Sequence, residues 1–219
     1  MKNLDKIAIE CGTDKSSEIH NYCEKYERYL PFERSESISI LEIGVLGGSS
    51  LKMWSEYYPN ASILGIDINS ACQQYASNNI AIEIGSQTDA DFLSRVAGKY
   101  GPFDLIIDDG SHMQSHVIFS FNCLFNALKS QGIYVVEDAS CSYWKKYEGG
   151  MNKPGTSVEY FKTMVATVNF CGLKQIDGIS AHARREDRLI ERIHSENIHL
   201  RTDLYSINFL NGLILITKR

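Results

Sequence analysis

Two short stretches of this chain carry the residue types that do chemistry: IIDDGSH, from Ile106 to His112, and VVEDA, from Val135 to Ala139. Each is an apolar run that ends in a pair of acids. Side chains alternate across a strand, so neighbouring acids face opposite ways while the strand stays regular. One acid of each pair is therefore expected at a shared pocket, and a second requires the chain to turn. Carboxylates converging without a cation would repel and raise one another's pKa. A hard divalent ion removes that difficulty, and oxygen ligands favour magnesium, with manganese or calcium as alternatives, over zinc. Asp108, Asp109, Glu137 and Asp138 are the acids from which such a site would draw its ligands. His112, three residues past Asp109, is the candidate general base, since an imidazole accepts a proton near neutral pH. His116, one helical turn further on, reads as structural. Isolated strand-end acids more often cap a helix or satisfy loop amides; two pairs beside a histidine tip the balance to a metal site.

A second candidate site lies earlier. SILEI ends at Glu42-Ile43 and runs into the glycines Gly44, Gly47 and Gly48, followed by Ser49. Glycines at a strand-to-helix turn let the backbone approach a ligand at the carboxyl edge of an α/β sheet. The spacing lacks the first G-x-G of a dinucleotide fingerprint, which disfavours a nicotinamide pyrophosphate. Asp67 follows Gly44 at roughly the 20-residue offset where an acid meets ribose hydroxyls. Glu42 suits a cationic or amine-bearing ligand better than a phosphate. These features point to a nucleoside cofactor held by Glu42, Gly44, Gly47, Ser49 and Asp67; taken alone, the glycines serve equally well as a tight turn.

The elements that must position these residues follow from hydrophobic period. Strand-like runs occupy 37–43, 62–68, 80–84, 103–108, 132–137, 205–209 and 213–218, with helical segments at 49–58, 89–100 and 115–128. Short apolar runs alternating with helices are the pattern of βαβ units and a parallel sheet. The last two runs flank Asn211-Gly212, a hairpin turn, so the final strand is expected antiparallel on an otherwise parallel sheet. Residues 1–36 read as a segment of two short helices before a domain spanning 37–219. Residues 139–156 read as a long loop whose Tyr143, Trp144 and Tyr147 either cover the site or pack on the sheet.

With 219 residues, 43% of them hydrophobic and a net charge of −5, the chain suits one soluble domain. No long basic run offers a nucleic-acid footprint; Arg184, Arg185 and Arg188 are interleaved with Glu186, Asp187 and Glu191, a solvated mixed-charge helix face. The six cysteines, at 11, 23, 72, 123, 141 and 171, show no metal spacing, and reduced thiols in a cytoplasmic protein are expected. MKNLDKIAIECG carries charges where a secretion signal has its apolar core, and no run reaches membrane-spanning length.

Taken as a set, the E-x-G-x-x-G-G-S turn, the acid after the second strand, IDDGSH and VED resemble the class I S-adenosylmethionine-dependent methyltransferases, and more narrowly the metal-dependent macrocin/mycinamicin-type sugar O-methyltransferases. GTDK at Gly12–Lys15, His20-x-Tyr22 with Tyr26, GSQTD at Gly85–Asp89, SYW at Ser142–Trp144, and NKPGT at Asn152–Thr156 with Glu159 and Tyr160 extend the similarity over roughly residues 12–170. The resemblance implies a Rossmann-like, doubly wound, mostly parallel seven-stranded sheet with an antiparallel last strand. It implies S-adenosyl-L-methionine and Mg2+ (or Mn2+) as cofactors and methylation of a sugar or glycoside hydroxyl in natural product biosynthesis, with a homo-oligomer as the expected assembly. Metal binding falls to Asp109, Glu137 and Asp138, base catalysis to His112, and cofactor contacts to Gly44, Asp67, Gln87 and Asp108. Some relatives carry a large additional amino-terminal domain, so contacts made by it are not carried over, and residues 171–204 match nothing in the family. A catechol or phenol O-methyltransferase and a non-catalytic S-adenosylmethionine-binding regulator are the alternative readings; a nicotinamide-dependent sugar oxidoreductase ranks below them.

Overall fold

Strand β1 (Ser39–Ile43) is the centre of the sheet because its residues are almost all buried, as expected of a strand covered on both faces. It pairs in parallel with β2 (Ser62–Asp67) on one side and β4 (Phe103–Asp108) on the other. Beyond these lie β3 (Ile80–Ile84) and β5 (Leu128–Val136), also parallel. The carboxyl-terminal hairpin, β6 (Leu204–Phe209) and β7 (Ile214–Lys218), completes a seven-stranded sheet of order β3-β2-β1-β4-β5-β7-β6. Strand β7 runs antiparallel to both of its neighbours, as the Asn211-Gly212 turn requires, with Gly212 in the left-handed region at φ 80°. The computed structural model describes residues 3–165, 167–168 and 203–219. The arginine-rich stretch at 184–191 and nearly all of the unmatched segment 171–204 lie outside the described residues.

Helices cover both faces. On one, α1 (Leu4–Cys11), α2 (Cys23–Tyr29) and α3 (Ser49–Tyr57) bury Leu4, Ile7, Tyr26, Leu51 and Trp54 against the sheet. On the other, α4 (Ala90–Tyr100), α5 (Gln114–Leu124) and α6 (Ser157–Thr163) bury Phe92, Phe121 and Phe161. This is the doubly wound arrangement, and α1 packs directly on α3. Among the described residues, no helix is long and apolar enough to cross a membrane.

Three local features depart from the sequence reading. The helix expected over 115–128 ends at Leu124, is followed by a 3-10 turn (Phe125–Ala127), and gives way to a strand that starts at Leu128 rather than 132. A register shift opposite Phe103–Leu105, with Gln131 at φ 64°, absorbs the extra residues. Helix α6 was not anticipated, although Thr156-x-x-Glu159 is a helix-start signature and the Thr156 side chain accepts from the Glu159 amide. Within 139–156 the chain forms two short 3-10 turns, and Tyr143 and Trp144 stand exposed rather than packed on the sheet.

The register fixes what reaches the carboxyl edge. Ile43, Asp108 and Val136 lie side by side across β1, β4 and β5. The residues that follow each strand, Gly44, Asp109 and Glu137, therefore emerge together.

Candidate active site

Gly44 turns the chain out of β1 at φ 94°, and a Cβ there would sit 2.1 Å from the carbonyl oxygen of Asp109. Only glycine allows the β1 and β4 exits to pass this closely. The turn continues through Leu46 (φ 47°) to Gly48 (φ 71°), the residue preceding α3. Asp67, at the end of β2, locks it: one carboxylate oxygen accepts from the amides of Val45 (2.9 Å) and Leu46 (3.2 Å), the other from Asn69 (2.8 Å). Burial works against the Asp67 charge, but the three amides from Asn69, Val45 and Leu46 outweigh it and hold the carboxyl below its ordinary value. A carboxylate has about four lone-pair sites, so Asp67 keeps acceptor capacity for a ribose.

A cavity of about 630 Å³ opens beside this turn, within the range of small-molecule sites. Gly44, Gly47, Ser49, Asp67 and Gln87 line it together with Asp109, His112 and Asp138, and Thr13, Asp14 and Ile19 of the amino-terminal segment line it as well. Gln87 braces the exit of β4. Its amide nitrogen donates to Asp108 (3.2 Å) and its oxygen accepts from the Ser111 amide (2.8 Å).

Two of the expected cofactor contacts do not face this cavity. Glu42 is fully buried, with one oxygen accepting from Ser50 Oγ at 2.5 Å and the other from Trp54 Nε1 at 2.8 Å. As the residue between two side chains of the opposite face, it is sent beneath the turn, against α3. Asp108 is likewise buried and accepts from Ser120, from Tyr134 at 3.0 Å and from Gln87. Burial pushes the pKa of both acids up. Neither presents a carboxylate to a ligand in the cavity.

Of the metal-site acids, Asp109 and Asp138 reach the cavity and Glu137 turns inward. Asp109, His112 and Asp138 each place a ligand atom within 4.8 Å of the others. Asp138 does so by leaving the strand in a left-handed conformation, φ 48°. His112 adopts φ 58°, its Nε2 lies 3.7 Å from Asp138 Oδ2, and its ring meets Tyr147 edge-on. Glu137 is 3% exposed; one oxygen accepts from Tyr26 and the other is 2.6 Å from the Lys15 ammonium. His116 pairs with the Ser111 hydroxyl at 2.8 Å.

Lys15, Tyr22, Tyr26 and Gln114 carry site contacts that residue spacing did not assign. Lys15 Nζ is 2.5 Å from Asp109 and 2.6 Å from Glu137. Burial would discharge it, but Asp109, Glu137 and Glu42 together hold its pKa well above the ordinary lysine value. Tyr22 donates to Asp138 at 2.7 Å. Burial and these carboxylates push both phenols up, so they stay donors. The sequence clue was the GTDK and His20-x-Tyr22 motifs, whose partners lie far along the chain.

No family model matches the chain. It is 37% identical over 178 residues to the L-olivosyl-oleandolide 3-O-methyltransferase of Streptomyces antibioticus, a match covering 76% of this chain and 46% of the relative. It is 36% identical over 177 residues to the mycinamicin VI 2''-O-methyltransferase of Micromonospora griseorubida, covering 76% and 44%. The solved structure of MycE methyltransferase from the mycinamycin pathway, in complex with Mg, SAH and mycinamycin VI, superposes with a TM-score of 0.80 and 27% identity over 99% of this chain and 54% of that one. The chain thus spans about half the length of the relatives it matches. Identity at this level, shared by several O-methyltransferases that act on sugars, together with the superposition, decides the kinship: the chain belongs to the macrocin/mycinamicin-type sugar O-methyltransferases and has the class I methyltransferase fold.

Proposed function

We propose that this chain is an S-adenosylmethionine-dependent, divalent-metal-dependent O-methyltransferase acting on a hydroxyl of a sugar or glycoside in the cytoplasm. The observation that carries the reading is the sharing of one cavity by the Asp67-locked glycine turn and the Asp109–His112–Asp138 group. The sugar acceptor rests on the relatives, whose names specify glycosylated natural products.

The donors fit the expected groups. Two partly exposed carboxylates and an imidazole, open on one side to the cavity, suit a hard cation that keeps positions for substrate oxygens. Asp109 and Asp138 would hold it, with Glu137 as the third carboxylate of the cluster. When bound, S-adenosylmethionine supplies an electrophilic methyl group and the cation makes a coordinated hydroxyl more acidic.

The chain's own residues do the rest. Asp67 and Gln87 orient the nucleoside, and the glycine turn admits it closely. His112 takes the proton of the acceptor hydroxyl, and Asp138, 3.7 Å away, stabilises the imidazolium so formed. Exposed Tyr143 and Trp144, on the chain that leads to Tyr147 beside His112, offer a face for an acceptor sugar. Holding acceptor and donor in line supplies much of the remaining rate gain.

A second role for His112, as a metal ligand, is favoured by its place in the three-residue group. One set of measurements separates the two: titration of magnesium and of S-adenosylmethionine by calorimetry, and methyl transfer to a panel of deoxysugar glycosides and catechols, on wild type, Asp109→Ala and His112→Ala. As a base, His112→Ala loses about 10²–10⁴-fold in kcat with magnesium affinity intact, while Asp109→Ala loses both. Loss of magnesium by His112→Ala makes it a ligand, turnover of catechols alone moves the acceptor class, and cofactor binding without turnover on any acceptor leaves a binding protein.

A further inference from the structure

The acidic edge of the sheet contains two adjoining carboxylate groups, and Asp109 belongs to both. With His112 and Asp138 it faces the cavity. With Glu137 and Glu42 it surrounds Lys15 Nζ, at 2.5 Å from Asp109, 2.6 Å from Glu137 and 3.8 Å from Glu42. That ammonium is 1% exposed. A buried ammonium is tolerated only when carboxylates offset its lost hydration, and here three of them do.

Lys15 is held from behind. Its carbonyl oxygen accepts from the amides of Tyr22 (2.9 Å) and Cys23 (3.1 Å) at the start of α2. The same stretch sends Tyr26 to the other oxygen of Glu137 and Tyr22 to Asp138. One segment near the amino terminus therefore grips all three acids that the family resemblance implied as metal ligands.

We propose that Lys15 is a positioning residue that fills a second cation position in this cluster, so that the site accepts one divalent ion rather than two. Asp109 is the shared carboxylate: one oxygen is committed to the ammonium, which fixes the side chain for the ion in the cavity. Lys15 also offsets the repulsion among Glu42, Asp109 and Glu137 before any metal arrives. The inference rests on the metal reading above for the ion in the cavity, but its test does not depend on turnover.

The measurement is the number of Mn2+ ions bound per chain, by calorimetry and by electron paramagnetic resonance, in wild type, Lys15→Met and the double variant Lys15→Met with Glu42→Gln, since Glu42 faces the ammonium and not the ion in the cavity. Methionine keeps the length of the stem and removes the charge, leaving three facing carboxylates. Lys15→Met is expected to bind one ion more than wild type, and its thermal unfolding, shifted down in chelator, is expected to recover more with Mn2+ than wild type does. The double variant, with one acid fewer, is expected to return to the wild-type count. Equal counts in wild type and Lys15→Met overturn the proposal, as does an extra ion in the double variant, which would place it elsewhere. If Lys15→Met is unfolded in chelator, recovery of a cooperative transition on adding Mn2+ supports the proposal and its absence overturns it. A wild-type count of zero would remove the metal from the proposed function, while the increment in Lys15→Met would still report on Lys15.

Discussion

Gln114 donates from its amide nitrogen to the carbonyl oxygen of His112 at 2.9 Å. Its own oxygen accepts from the Ser142 hydroxyl and from the amide and hydroxyl of Ser157, each at 2.8 Å. Gln114, Ser142 and Ser157 are all essentially buried. One side chain thus joins the His112 turn, the loop bearing Tyr143 and Trp144, and the start of α6.

Gln114→Ala is therefore expected to cost about 2–4 kcal/mol, because it leaves the Ser157 amide and the His112 carbonyl without partners and opens a small void. Denaturant unfolding measures this. On the proposed function, kcat falls and acceptor KM rises, while cofactor affinity, which that reading assigns to the Gly44 turn and Asp67, stays near wild type. A stability change within about 0.5 kcal/mol, the range of ordinary surface substitutions, would show that Gln114 does not organise the site.

What the sequence revealed and what it hid follow from range. The strand ends were legible because β-branched runs stop at glycine or acid, and the alternation rule anticipated that one acid of each pair would leave the cavity. Asp108 and Glu137 are those residues, both buried, while Asp109 and Asp138 face the opening. The choice within the second pair was not legible, because it depends on Asp138 turning left-handed and on Lys15 and Tyr26 claiming Glu137. Lys15 lies 94 residues from Asp109 and 122 from Glu137, and no local period encodes such a contact. Glu42 shows the same limit: its neighbours in sequence suggested a ligand, but the face it takes on β1 directs it to Ser50 and Trp54.

The depressed pKa of Asp67 makes a signed prediction. Its folded value lies below the ordinary 3.8, so its contribution to stability is fully present above that pH and is lost as pH falls through the folded value. Asp67→Asn retains an oxygen for the turn but carries no charge. The gap in unfolding free energy between wild type and Asp67→Asn should hold steady from neutral pH to about 4 and narrow below it. Glu42 and Asp108, whose values are raised by burial, act alike in both proteins and drop out of the difference. Urea unfolding across a pH series reads the gap directly; a gap unchanged at acid pH would mean that the amide contacts owe nothing to the carboxylate charge.

Two glycines of the same turn should respond in opposite ways. At Gly44 an added Cβ meets the Asp109 carbonyl oxygen at 2.1 Å and its carbon at 2.8 Å, and φ is 94°. The backbone strain alone costs about 1–3 kcal/mol, and relieving the clash pushes Asp109 away from Lys15 and the cavity. Gly44→Ala should therefore lose stability and metal affinity together. At Gly47 nothing lies within 4 Å of an added Cβ, although the residue lines the cavity. Gly47→Ala should keep its stability to within about 0.5 kcal/mol while its methyl takes up room beside the cofactor. Thermal unfolding paired with calorimetric titration of S-adenosylmethionine and of magnesium compares them. A Gly47→Ala protein that binds the cofactor as well as wild type would move the nucleoside away from this turn. A stable Gly44→Ala protein with unaltered metal affinity would mean that the β1 and β4 exits are not tightly coupled.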